Sequence, residues 1–162
     1  MPKPIKYIHS GMSGAPVLSG TAGAMAAVLD AALVTGLGLK SVTSLVVAGG
    51  IATATVSGSH AFEPFACALV AGASISGLNG EQVVTSISTN TISWSTTAPD
   101  GTATGTITIK VAPLGWTTAF TGTNLRAYKP TAPEATGCVL RVDDTGTTNA
   151  RVVAYESMSD MS

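Results

Sequence analysis

From about residue 42 the apolar residues stop recurring every third or fourth position and begin recurring every second one. That change constrains the fold most, because period 2 sends successive side chains to opposite faces of a strand. Leu45-Val46-Val47 and Ile51 to Val56 predict two strands around Gly49-Gly50, a pair that tolerates positive φ in a tight turn. Ala66 to Ala71 predicts a short buried strand, and Leu78-Asn79-Gly80-Glu81 a turn. Gln82 to Ser95 alternates again. After the turn signal Asp100-Gly101, Thr102 to Val111 sets Thr against Ile and predicts one continuous strand. Val139 to Val142 and Ala150 to Tyr155 predict a last hairpin around residues 143–149. Residues 112–137 are rich in Pro, Gly and Thr without a clear period. They predict a long packed loop carrying Trp116, Phe120 and Tyr128. Short strands between frequent turn signals point to a small β-barrel or sandwich.

One segment alone has the helical period. Residues 21–35 place Met25, Val28, Leu29, Ala32 and Leu33 on one face, with Ser19 or Thr21 as cap and Gly36 and Gly38 as the stop. Before it, residues 1–20 predict an extended arm. Pro2 and Pro4 remove backbone donors, and Gly11, Gly14, Pro16 and Gly20 interrupt any early helix. The arm still carries Ile5, Tyr7, Ile8, Met12, Val17 and Leu18, more apolar groups than a disordered tail holds. The expected organisation is therefore an arm over 1–20, a single helix-plus-β domain over 21–156 and a short polar tail over 157–162. The expected class is mainly β with one N-terminal helix.

Charge decides which partners are open to such a chain. Charged residues make 10% of the sequence and the net charge is −1, where an ordinary soluble domain carries about 25% charged residues. No basic surface is available for nucleic acid or for an anionic membrane. The apolar stretch 22–34 is interrupted by Asp30 and falls short of the roughly 20 residues that span a bilayer. The N-terminus lacks the apolar core of a signal peptide, so synthesis in a cytoplasm is expected. Polarity comes instead from 16 Ser and 23 Thr. Hydroxyls desolvate more cheaply than ions, so much of this surface is expected to be covered by neighbouring subunits.

Catalytic motifs are incomplete. Gly11-Met12-Ser13-Gly14-Ala15 resembles a nucleophile elbow but ends on Ala15 and lacks a strand-to-helix junction. Gly38-Leu39-Lys40-Ser41 lacks the spacing of a phosphate loop and follows a helix rather than preceding one. His9, His60, Cys67 and Cys138 show no zinc-ligand spacing, and Asp143, Asp144 and Asn149 lack that of a calcium loop. The latter three read as turn residues bonding their own backbone. Cys67 and Cys138 read as reduced, apolar-lined thiols. No catalytic, cofactor-binding or metal-binding residue is assigned, no small-molecule substrate is evident, and the chain reads as non-enzymatic. Aromatic residues at 5% are too few for a glycan-stacking platform. An assembly interface is assigned instead to Ile5, Tyr7, Ile8, Met12, Val17, Leu18, Trp116 and Tyr128. The arm is expected to become ordered mainly where a neighbour adds contacts.

Several blocks carry a family resemblance. They are Tyr7-Ile8-His9-Ser10-Gly11, Val17-Leu18-Ser19-Gly20-Thr21-Ala22-Gly23-Ala24, and Asp100-Gly101-Thr102-Ala103-Thr104-Gly105-Thr106-Ile107-Thr108. Leu140-Arg141-Val142-Asp143-Asp144-Thr145-Gly146-Thr147-Thr148 and Tyr155-Glu156-Ser157-Met158 complete the pattern. Together they resemble a group of tailed-bacteriophage structural proteins, over nearly the whole chain. Some members continue into a further C-terminal domain, and nothing housed there carries over. The resemblance implies a virion component without catalytic residues, made in the host cytoplasm. Its partners would be copies of itself and other virion proteins, whether the major capsid protein or tail proteins. A capsid decoration or cement protein is the leading expectation. A tail or neck subunit (tube, connector or tail tip) comes second, and a receptor- or glycan-binding module third.

Overall fold

Gly49 and Gly50 take φ values of 57° and 78°, the left-handed pair that a two-residue hairpin turn demands. They join β1 (Leu37–Ala48) to β2 (Ile51–Val56). This is seen in a computed structural model that describes residues 5–161. Pro2 and Pro4 of the expected arm and Ser162 of the tail lie outside the described residues.

β3 (Cys67–Ala71), β4 (Gly80–Ile87), β5 (Thr91–Ser95), β6 (Gly101–Ala103) and β7 (Thr108–Val111) complete this region. Six strands run β1-β2-β5-β4-β3-β7 and return to β1, every pairing antiparallel, so the sheet closes into a barrel. Alternation explains the interior. Trp94 on β5 lies opposite Ala52 on β2 and Val84 on β4, and all three are buried. Small alanines beside one large indole fill a narrow barrel without overlap. Thr53 and Ser93, on the other face of the same strands, bond hydroxyl to hydroxyl at 3.0 Å.

Thr102 to Val111 is not one strand. β6 pairs with Leu45–Val47 and β7 with Leu37–Ser41, so both lie along β1, but residues 104–106 between them leave it, while the Ile107 carbonyl still accepts the Val42 N–H. The cause is a backbone crossing. Gly105 (φ 117°) and Gly72 (φ 83°) approach so closely that a Cβ on Gly72 would overlap the Thr106 carbonyl, and one on Gly105 would overlap the Gly72 carbonyl. Thr/Ile alternation reports the sheet period and is blind to such a bend.

The expected loop over 112–137 is also corrected. It contains the hairpin β8 (Trp116–Gly122) and β9 (Leu125–Pro130), turned at Asn124 with φ 54°. β10 (Val139–Asp143) and β11 (Arg151–Tyr155) form the predicted final hairpin, and the second sheet runs β11-β10-β9-β8, all antiparallel. Thr117, Thr118 and Thr121 occupy β8 on both of its faces, so no apolar/polar period marks the strand.

The helix is shorter than residues 21–35. α1 (Ala24–Leu29) begins after Gly23, whose φ of 88° is left-handed, and continues as a π-helical turn over Asp30–Thr35. The Gly36 N–H closes that turn on the Ala31 carbonyl at 2.8 Å. The Ser19 and Thr21 hydroxyls bond each other and do not cap the helix, while the Thr21 carbonyl accepts the Ala24 N–H at 3.1 Å. Gly38 is not a helix stop but a bulge inside β1, where a Cβ would lie 2.7 Å from that of Ala61. The π-turn and α1 lay Leu33 on Tyr128 and Val142, with Met25, Leu29, Trp116 and Leu140 around them.

Two compact units result. The barrel unit takes residues through Gly14 with Leu37–Ala112; the sheet–helix unit takes Ala15–Gly36 with residues from Pro113 onward. The stretch expected as one domain is divided between them, and so is the expected arm.

Candidate assembly surfaces

Residues 5–14 lie on their own barrel, so the expectation that the arm waits for a neighbour is corrected for this part. Lys6 Nζ pairs with Glu81 Oε1 at 2.5 Å, and the Tyr7 hydroxyl donates to the Pro64 carbonyl at 3.2 Å. His9 Nδ1 accepts the Gly11 N–H at 3.1 Å, which places the ring proton on Nε2, where it donates to Glu63 Oε1 at 3.0 Å. His60 is held in the same way: Nδ1 accepts from Phe62 N–H at 3.2 Å and Nε2 donates to the Ser88 carbonyl at 2.8 Å. Met12 is only 3% exposed. One buried side chain and several polar ties order the segment without a partner.

The eight expected interface residues are divided by the fold. Ile5, Tyr7, Ile8 and Met12 belong to the barrel unit; Val17, Leu18, Trp116 and Tyr128 belong to the sheet–helix unit. Ile5 is 85% exposed, Val17 and Leu18 are exposed, and Tyr7, Ile8 and Trp116 are half-buried. Met12 and Tyr128 are buried within their own units and have no surface left for a neighbour. Sequence reasoning missed Phe65. It is 72% exposed with φ 68°, a left-handed conformation costly for a bulky side chain, and its N–H bonds the Val84 carbonyl.

Acidic groups in the sheet–helix unit serve as clamps. Arg126 Nε donates to Asp30 Oδ2 at 2.9 Å, and the Tyr128 hydroxyl donates to Asp30 Oδ1 at 2.8 Å. Burial, and then this bond to Asp30, push the Tyr128 phenol above its ordinary range. Asp144, buried, accepts the Ala26 N–H on Oδ2 at 3.0 Å while its carbonyl accepts the Gly23 N–H. The helix N-cap is thus supplied from the β10–β11 loop, far away in sequence. Asp143 alone behaves as the expected turn residue, accepting from the Thr145 N–H and hydroxyl; these bonds hold its carboxyl below the usual range. A cleft of about 370 Å³ opens beside this cap, lined by Leu18, Met25, Asp144, Thr147 and Ala150. The carboxylate facing it is already engaged in capping.

Both cysteines are free. Burial, reinforced by the Glu81 charge, pushes the Cys67 thiol up to about 11, while Cys138 is half-buried. Among the described residues, no three His, Cys, Asp or Glu side chains gather to hold a metal ion, and no helix is long and apolar enough to cross a membrane.

The second sheet leaves two edges. On β8 the exposed positions are Thr117, Ala119 and Thr121. On β11 Arg151, Val152, Ala154 and Tyr155 are all exposed, Val152 by 46% and Tyr155 by 40%. Val152 and Ala154 stand on one face of this strand and Val153, half-buried, on the other. No family model, curated protein or solved structure matches this chain.

Proposed function

We propose that the chain is a non-enzymatic structural subunit of a tailed-bacteriophage virion, an accessory subunit of the decoration or cement type on the capsid. One observation carries the self-assembling part of this reading: large apolar side chains stand exposed on a surface with little charge. Ile5, Val17, Leu18, Leu39, Phe65 and Val152 are exposed in a chain of net charge −1. Such a surface favours association over free solution, and identical subunits are the usual partners. The virion part is supported by the resemblance of the blocks at residues 7–24, 100–108, 140–148 and 155–158 to phage structural proteins. The same apolar, weakly charged surface suits a neck or tail subunit, which keeps that placement as the second reading.

Quantitative mass spectrometry of purified particles tests the proposal. On the order of hundreds of copies indicates the shell, and about six to a dozen, or a multiple set by tail length, indicates neck or tail. Absence from particles overturns the virion reading.

A further inference from the structure

β11 is the outer strand of its sheet, paired only with β10 among the described residues. Edge strands are ordinarily blunted by inward charges, Pro or bulges, because their free N–H and C=O groups recruit further strands. β11 pairs all five residues with β10 without a bulge, and its centre is Val152-Val153-Ala154. Val152 and Ala154 stand opposite Val142 and Leu140, the residues packed with Leu33 and Tyr128 beneath the helix. The apolar layer therefore runs on to β11 and ends uncovered.

We propose that β11 pairs antiparallel with β11 of a second copy about a two-fold axis at Val153, joining two four-stranded sheets into one of eight. Self-complementarity selects this occupant. Centred on Val153, the pairing sets Arg151 opposite Tyr155 of the partner subunit, a cation over an aromatic ring, and Val152 opposite the partner's Ala154. All five residues find partners and no like charges meet. Centring on Arg151 would oppose two arginines. Centring on Val152 would leave Tyr155 against the loop residue Asn149, and centring on Ala154 would set Val152 against the partner's Glu156. β8 is the poorer mate, because its ladder shifts register between Thr118 and Phe120 and its exposed row is mostly threonine. The inference rests on the reading of the chain as a self-assembling subunit and is independent of where a particle places it.

Cross-linking of the purified full chain in a Cys138→Ser background tests the register. Directly opposed side chains lie within reach of a disulfide. Val153→Cys is expected to form a disulfide dimer under mild oxidation at least about ten-fold faster than Thr117→Cys on β8, since pairing raises the effective thiol concentration. Val152→Cys mixed with Ala154→Cys is expected to cross-link faster than either alone, a check that does not depend on the Val153 variant. Val153→Cys reacting no faster than Thr117→Cys, or the mixture no faster than its components, overturns the pairing. Neither result bears on particle copy number, so the pairing and the virion reading fail separately.

Discussion

The two units solve the same problem, burying the apolar face of a sheet, in different ways. The barrel unit curls its sheet until β7 meets β1, so six strands cover one another and Trp94 fills the centre. The sheet–helix unit stays open: a short helix packs on β8, β9 and β10, held by Asp30 to Arg126 and Tyr128 and by Asp144 to Ala26, while β8 and β11 are edge strands among the described residues. Closure removes edges and with them the most direct route to strand pairing. The open sheet keeps that route at β11, the strand proposed to pair with a second copy.

The largest effect is expected in the closed unit. Trp94→Ala should lower stability by about 3–5 kcal/mol in urea unfolding, since the barrel cannot collapse onto so large a void. Trp94→Phe should cost less, about 1–2 kcal/mol, because a benzyl ring fills part of the space and the indole N–H is buried without a partner, so its loss breaks no bond. A Trp94→Phe cost above about 3 kcal/mol would show that the N–H makes a bond after all. Met12→Ala should cost about 2 kcal/mol or more, the loss of a buried side chain from the barrel unit. A cost near zero would return the whole arm to the role of a segment ordered only by neighbours.

In the open unit, Asp144→Ala should cost about 1–2 kcal/mol by uncapping α1, and Asp144→Asn less, because an amide oxygen still accepts the Ala26 N–H. Equal costs would mean that the charge, not the bond, holds the helix.

A smaller, pH-dependent effect separates the two thiols. The Cys67 thiol is raised in the folded chain from an ordinary value of 9.0 to about 11, so folding favours its neutral form. Its share of stability is full below pH 9 and is lost as pH rises through 11. Cys67→Ala should flatten that alkaline decline, measured by unfolding at several pH values. At neutral pH one thiol, Cys138, should react rapidly with a thiol reagent, and two after denaturation; rapid reaction of both would place Cys67 at the surface.

Legibility in the sequence follows the same division. Period-2 alternation identified the strands of the barrel and the Gly49-Gly50 hairpin, because inside and outside differ there in hydrophobicity. It missed the break at Gly105, which exists to let Gly72 pass and leaves no trace in alternation. In the second unit, threonines hid β8. The helix cap at Asp144 was invisible because its partner Ala26 is brought to it only by the fold. Of the expected interface residues, Ile5, Val17 and Leu18 are exposed, whereas Met12 and Tyr128 are buried in the cores of their own units. Composition predicts that apolar surface is to be covered; it does not say by which chain.

Sedimentation velocity of the full chain beside its Ala154→Lys variant decides whether β11 is the edge through which copies associate. The native chain is expected to sediment as a dimer or larger at high concentration, and Ala154→Lys to shift it to a smaller species that still unfolds cooperatively. A native chain that stays monomeric, or a variant that sediments like the native chain, would contradict it.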